Sequence, residues 1–175
     1  ILNPFDPSAY TAYNVGALKA DLDILARVTP QKTFSDADNF LWDVKQFVQQ
    51  HLGSSPIYLT GHSLGGAEAQ DVAHSESLGG VTFGAPGDPT LTSPVQAQNF
   101  IDYVDYGDPI GNFGNHFGTV EKIGSKFNAA VLTAGEIEAL ETGGLSLAAV
   151  AGAYHLPSHY AADLGLHLHS GYVLV

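Results

Sequence analysis

Pro56-Ile57-Tyr58-Leu59-Thr60-Gly61-His62-Ser63-Leu64-Gly65-Gly66-Ala67 is the stretch on which the fold turns. Pro56 to Thr60 is a short apolar, β-favouring run after a turn, the composition of a strand buried in a parallel sheet. Ala67 to Ser75 is rich in small residues and reads as a helix, so the local order is strand, tight turn, helix. Gly61-His62-Ser63-Leu64-Gly65 fits Gly-x-Ser-x-Gly. In that turn the glycines let the strand and helix backbones approach, while the serine takes a strained conformation at the apex. Five residues are a weak signal by themselves; the strand before and the helix after supply the context the pattern needs. Without that context the stretch would be a glycine-rich turn with an inert serine.

Upstream, Ser35 stands three residues before Asp38 at the expected start of a helix. Phe40, Leu41, Val44, Phe47, Val48 and Leu52 form its apolar stripe and Gly53 ends it. Leu18, Leu22, Leu25 and Ala26 predict an earlier helix over 16–28, closed by Pro30, and the two prolines of 3–8 predict a loop or docked arm. Downstream, Gly80–Phe83 and Asn99–Val104 read as two more strands. Strands alternating with helices predict an α/β fold, a mostly parallel sheet flanked by helices on both faces. The 175 residues form one domain, 1–175, in which 111–154 reads as an insertion, cap or lid.

Composition narrows the function classes. Six basic against 18 acidic residues give a net charge of −12, the wrong sign for a nucleic-acid footprint or a polybasic membrane patch. Charged residues are 14% and hydrophobic ones 45%, which favours a packed globule over disorder. No apolar run is long enough to span a bilayer. Cysteine is absent, which removes disulfides, thiolate metal sites and cysteine nucleophiles together. The chain lacks Met and starts at Ile1, so it reads as a processed or excised piece.

A serine hydroxyl is a poor nucleophile at neutral pH and requires a histidine base and a carboxylate to orient it. Asp105 and Asp108 fall at the carboxyl end of the strand ending near Val104, where open parallel sheets place their sites; Asp102 falls inside it. Among eight histidines, His51, His62 and His74 have ordinary explanations, leaving His116, His155, His159, His167 and His169 as candidates. A zinc pair of His155 and His159 is disfavoured because Pro157 interrupts a shared helix, and His167-Leu168-His169 reads as one face of a strand.

Leu59 to Ala67, followed by Val81-Thr82-Phe83-Gly84-Ala85-Pro86-Gly87, resembles the class 3 (fungal-type) lipases and their bacterial secreted relatives, within the α/β-hydrolase fold. Tyr106-Gly107-Asp108-Pro109-Ile110 is similar to the family segment that holds the catalytic acid, which favours Asp108 over Asp105. His155-Leu156-Pro157-Ser158-His159-Tyr160 is similar to the family's histidine loop, which precedes a helix carrying a Tyr. The resemblance therefore implies His155 as base ahead of His159 and His116. Pro157 suits the first helical position and Gly165 the stop.

The turn also supplies one oxyanion donor, the backbone N–H of Leu64. The family's second donor follows an earlier strand in an Arg-Gly-Thr or Arg-Gly-Ser loop, and residues 1–35 hold no such sequence; by position the loop falls near Tyr13 to Gly16. Either the first strands of the sheet lie upstream of Ile1 or the donor is divergent. The expectation is a serine hydrolase of carboxylic esters, a lipase or phospholipase, working without metal or cofactor on a lipid or other ester substrate. It would be secreted or extracellular, with transient contact at a lipid interface. The alternatives are an acyltransferase or thioesterase on the same triad, or a catalytically silent binding module.

Overall fold

The computed structural model describes residues 31–130 and 152–166. The expectations for 3–8, 16–28 and 167–169, the oxyanion loop near Tyr13 to Gly16, and the 131–151 part of the stretch 111–154 lie outside those residues.

The described chain opens with helix α1 (Gln31–His51) and continues into strand β1 (Tyr58–His62), helix α2 (Leu64–Glu76) and strand β2 (Gly79–Phe83). Strands β3 (Phe100–Asp105) and β4 (Thr119–Ile123) follow, and the short helix α3 (Pro157–Asp163) comes last. The four strands pair in parallel in the order β1-β2-β3-β4. This is an α/β architecture. Strand order advances in one direction, so right-handed connections bring α2 and the β2–β3 and β3–β4 segments to one face of the sheet. Packing agrees: Ala69 and Ala73 of α2 meet Phe100 of β3 and Phe117 of the β3–β4 segment, with Leu59, Leu91, Val95 and Ala97 around them.

Two sequence readings change. Helix α1 begins at Gln31, so Ser35 lies within the helix and does not cap it. Phe34, seven residues before Leu41, is buried and extends the stripe by two turns beyond its expected start. The buried line is therefore Phe34 and Leu41 with half-buried Ala37, Val44 and Val48, whereas Phe40, Phe47 and Leu52 are exposed. Lys45 joins α1 to α2 through Glu76 at 2.6 Å, an exposed pair worth no more than about 1 kcal/mol. Second, Thr119–Ile123, inside the stretch expected as an insertion, is a strand of the sheet. Its pattern is short and charged, Thr-Val-Glu-Lys-Ile, as befits a strand that is the edge of the sheet among the described residues.

Alternation along β3 sorts its carboxylates. Phe100, Asp102 and Val104 share one face and all are fully buried, while Ile101, Tyr103 and Asp105 share the other. Asp102 thus belongs to the α2 side of the sheet and Asp105 to the opposite side. No helix among the described residues is long and apolar enough to cross a membrane.

Candidate active site

Ser63 sits between β1 and α2 with φ 57° and ψ −129°, in the left-handed half of backbone space that a non-glycine residue rarely adopts. Close contact enforces this turn. A Cβ at Gly61 would overlap the carbonyl oxygen of Gly65, and one at Gly66 would come within 2.5 Å of the Ala85 Cβ. Gly65 itself has open space where a Cβ would stand, so the steric need falls on Gly61 and Gly66. Serine is a favoured helix cap, yet the Ser63 side chain makes no cap hydrogen bond. Its hydroxyl is turned instead to His155.

His155 Nε2 is 2.7 Å from Ser63 Oγ, and His155 Nδ1 is 2.8 Å from Asp108 Oδ2. The carboxylate accepts from Nδ1–H, which leaves the Nε2 lone pair to accept the serine hydroxyl proton. Pro157 occupies the first turn of α3, so His155 lies in the loop just before it. His155 is 6% exposed and Asp108 fully buried, whereas Ser63 is half-buried and reachable.

The acid is held from several sides. Asp108 Oδ1 accepts the backbone N–H of Ile110 at 2.9 Å, and Oδ2 accepts the Tyr160 hydroxyl at 2.5 Å. The same hydroxyl accepts the N–H of Asp105 at 3.1 Å, tying α3 to the end of β3. Burial, and then the neighbouring Asp108 charge, push the Tyr160 phenol far above its ordinary range, so it remains a donor at any working pH. His62 contacts His155 directly. Its Nε2–H donates to the carbonyl of His155 at 2.7 Å, and the two rings lie 4.7 Å apart. Burial, followed by the charge of His155, pulls the His62 pKa down, which favours the neutral ring that makes this contact.

Of the residues singled out in the sequence, Ser63, Asp108 and His155 come together. Leu64 is the first residue of α2, where a backbone N–H has no intrahelical acceptor. The others go elsewhere. His116 Nδ1 is 2.9 Å from Asp102 Oδ2, on the α2 side of the sheet, and Thr82 Oγ1 donates to Asp102 Oδ1 at 2.9 Å. This second buried histidine–aspartate pair takes His116 out of the site. Asp105 Oδ1 accepts Gly107 N–H at 2.5 Å, and its Oδ2 lies 3.4 Å from His159 Nε2. Tyr160 and His62 carry no pattern that marks their roles in isolation. Tyr160 was legible only as the tyrosine of the histidine loop, and His62 only as the variable residue of Gly-x-Ser-x-Gly.

A shallow apolar cavity of about 170 Å³ flanks the site, lined by His62, Phe83, Pro157, Tyr160, Ala161, Leu164 and Leu166. A larger groove of about 410 Å³ runs over β1 between α1 and α2; it reaches Gly61 and Gly65 but neither Ser63 nor His155. No family model and no curated protein sequence matches this chain.

Proposed function

We propose that the protein is a serine hydrolase of carboxylic esters that works through an acyl-enzyme on Ser63, and that its sheet is part of an α/β-hydrolase fold. One observation carries the reading: a strained, reachable serine whose hydroxyl meets a buried histidine at 2.7 Å, the other nitrogen of which meets a buried aspartate at 2.8 Å. In this reading His155 Nε2 takes the Ser63 proton as Oγ attacks the ester carbonyl, and returns it to the leaving alkoxide as the tetrahedral intermediate collapses. Water then repeats the cycle from the acyl-enzyme. Asp108 stabilises the imidazolium, and the Leu64 N–H donates to the developing oxyanion. Resemblance to the class 3 lipases and the apolar cavity beside His62 favour lipid esters as substrates. Secretion and action at a lipid interface rest on that same resemblance.

A fluorophosphonate probe should label Ser63 in the intact chain, and Ser63→Ala should abolish both labelling and p-nitrophenyl ester turnover without loss of fold. Turnover unchanged in Ser63→Ala would overturn the reading. A folded wild-type chain that takes no label would instead favour a silent binding module. Release of an alkyl ester in the presence of a competing alcohol, at the expense of free acid, would assign the same acyl-enzyme to an acyltransferase.

A further inference from the structure

Behind the triad, on the side of the sheet that Asp105 faces, two carboxylates converge on one imidazole. His159 Nε2 is 3.4 Å from Asp105 Oδ2 and 3.2 Å from Asp163 Oδ2, and the three atoms all lie within 4.8 Å of one another. His159 and Asp163 are one helical turn apart on α3, so their side chains share a face. The His159 nitrogen is shut off from solvent and makes no hydrogen bond. Both oxygens are at ion-pair distance from it, yet neither lies along its bonding direction. A ring nitrogen that is shut off from solvent, makes no hydrogen bond and lies this close to two carboxylate oxygens is available as a ligand atom beside them.

We propose that Asp105, His159 and Asp163 bind a divalent cation of the zinc class, with water completing the shell on the exposed Asp163 side. Distances support this choice. Metal–ligand bonds of about 2.0–2.1 Å in a tetrahedron place neighbouring ligand atoms about 3.4 Å apart. His159 Nε2 lies 3.4 and 3.2 Å from the two oxygens, close to that value. The ligand set, one imidazole and two carboxylates with an open fourth position, suits zinc better than the all-oxygen cages of calcium. The roof is also built for it. Gly124 has φ 74°, and a Cβ there would overlap Asp105 Oδ2 and come within 2.9 Å of Asp163 Oδ2, so only glycine keeps the space open.

Outer contacts orient the ligands. Gly107 N–H holds Asp105 by its other oxygen at 2.5 Å, and Asn128 Nδ2 reaches both Asp105 oxygens at 3.2 and 3.3 Å. Tyr154 meets the His159 ring edge-on at 5.1 Å and fixes its plane. Bringing two carboxylates together is itself unfavourable. A cation held between Asp105 and Asp163 would offset the repulsion of their charges. His159 thereby enters a ligand set different from the His155–His159 pair that the sequence disfavoured. Asp105 stands three residues before Asp108 and His159 four after His155, so the ion would tie the acid's strand to the base's helix from outside the reacting centre.

Cobalt chloride titrated into the chelator-stripped full chain should give the intense visible bands of tetrahedral cobalt(II) at one ion per chain, and zinc chloride should bleach them. At zinc concentrations a hundredfold above the dissociation constant, the thermal midpoint should rise by about 5–10 °C. Asp163→Asn and His159→Gln should lose both signals, while His51→Gln, at the exposed end of α1, should keep them. Absence of a cobalt spectrum and of a zinc shift in the wild type overturns the proposal, whatever the variants do. So does an equal response in His159→Gln, or a shift given by calcium and not by zinc. None of these readouts depends on ester hydrolysis, so the site and the proposed activity stand or fall separately.

Discussion

Among individual residues, the proposed chemistry rests on who holds the proton between Ser63, His155 and Asp108. Asp108→Asn would keep the shape of the acid but remove its charge and favour the wrong imidazole tautomer, so kcat toward p-nitrophenyl esters should fall about 10⁴-fold with the thermal midpoint little changed. Tyr160→Phe tests a subtler contribution. It deletes the donor to Asp108 and the acceptor for the Asp105 N–H, leaving a buried amide unpaired. Stability should drop by about 1–3 kcal/mol in urea titration, with a smaller loss of kcat than in Asp108→Asn. His62 supplies a pH signature. Its pKa lies below the ordinary 6.5 in the folded protein, so the unfolded chain binds the proton first as pH falls. The stability it contributes is complete above pH 6.5 and is lost below that, as pH approaches the depressed folded value. Midpoints measured from pH 7 to 5 should decline less steeply in His62→Gln than in the wild type; equal slopes would assign the decline to other groups. Asp108 and His155 were legible in the sequence through the Asp-Pro step and the histidine loop. The supporting contacts of Tyr160 and His62 were not, because each partner is distant in the chain: 52 residues separate Tyr160 from Asp108 and 93 separate His62 from His155.

At the scale of the element, the strand–turn–helix around Ser63 was readable from composition alone, since few sequences other than Gly-x-Ser-x-Gly-Gly allow so close a return. Which glycine carries the constraint was not readable. Gly65→Ala should be neutral or add up to about 1 kcal/mol of stability, because an open helical position gains propensity. Gly66→Ala must push α2 away from Ala85 and should lose about 1–3 kcal/mol and most ester turnover. Thermal denaturation of the two variants side by side separates these effects. The misplaced start of α1 has a similar origin. Ser35 to Asp38 has the composition of a cap, but burying Phe34 against the rest of the protein outweighs a cap worth about 1 kcal/mol. β4 carries little signal in the sequence, because five residues with two charges show little periodicity.

For the whole molecule, the described residues hold two buried histidine–aspartate pairs, Asp102–His116 and Asp108–His155, and of these the second meets a serine. Asp102→Ala would strand the Thr82 hydroxyl and His116 Nδ1, and should remove at least about 2 kcal/mol of stability while leaving kcat within a few-fold of wild type. Asp108→Asn should do the reverse, and the pair of measurements tests whether Asp108, unlike Asp102, serves the proposed ester hydrolysis. The α/β class, the turn that presents Ser63 and a short roster of acids and bases could be read along the chain, because these depend on local periodicity, glycine placement and residue chemistry. It took the packed structure to put His116 on Asp102 and His159 beside Asp105. Alternation along β3 sends Asp102 and Asp105 to opposite faces, and the packing of α3 against the ends of β2 and β3 brings His155 to Ser63, a juxtaposition that no linear spacing encodes.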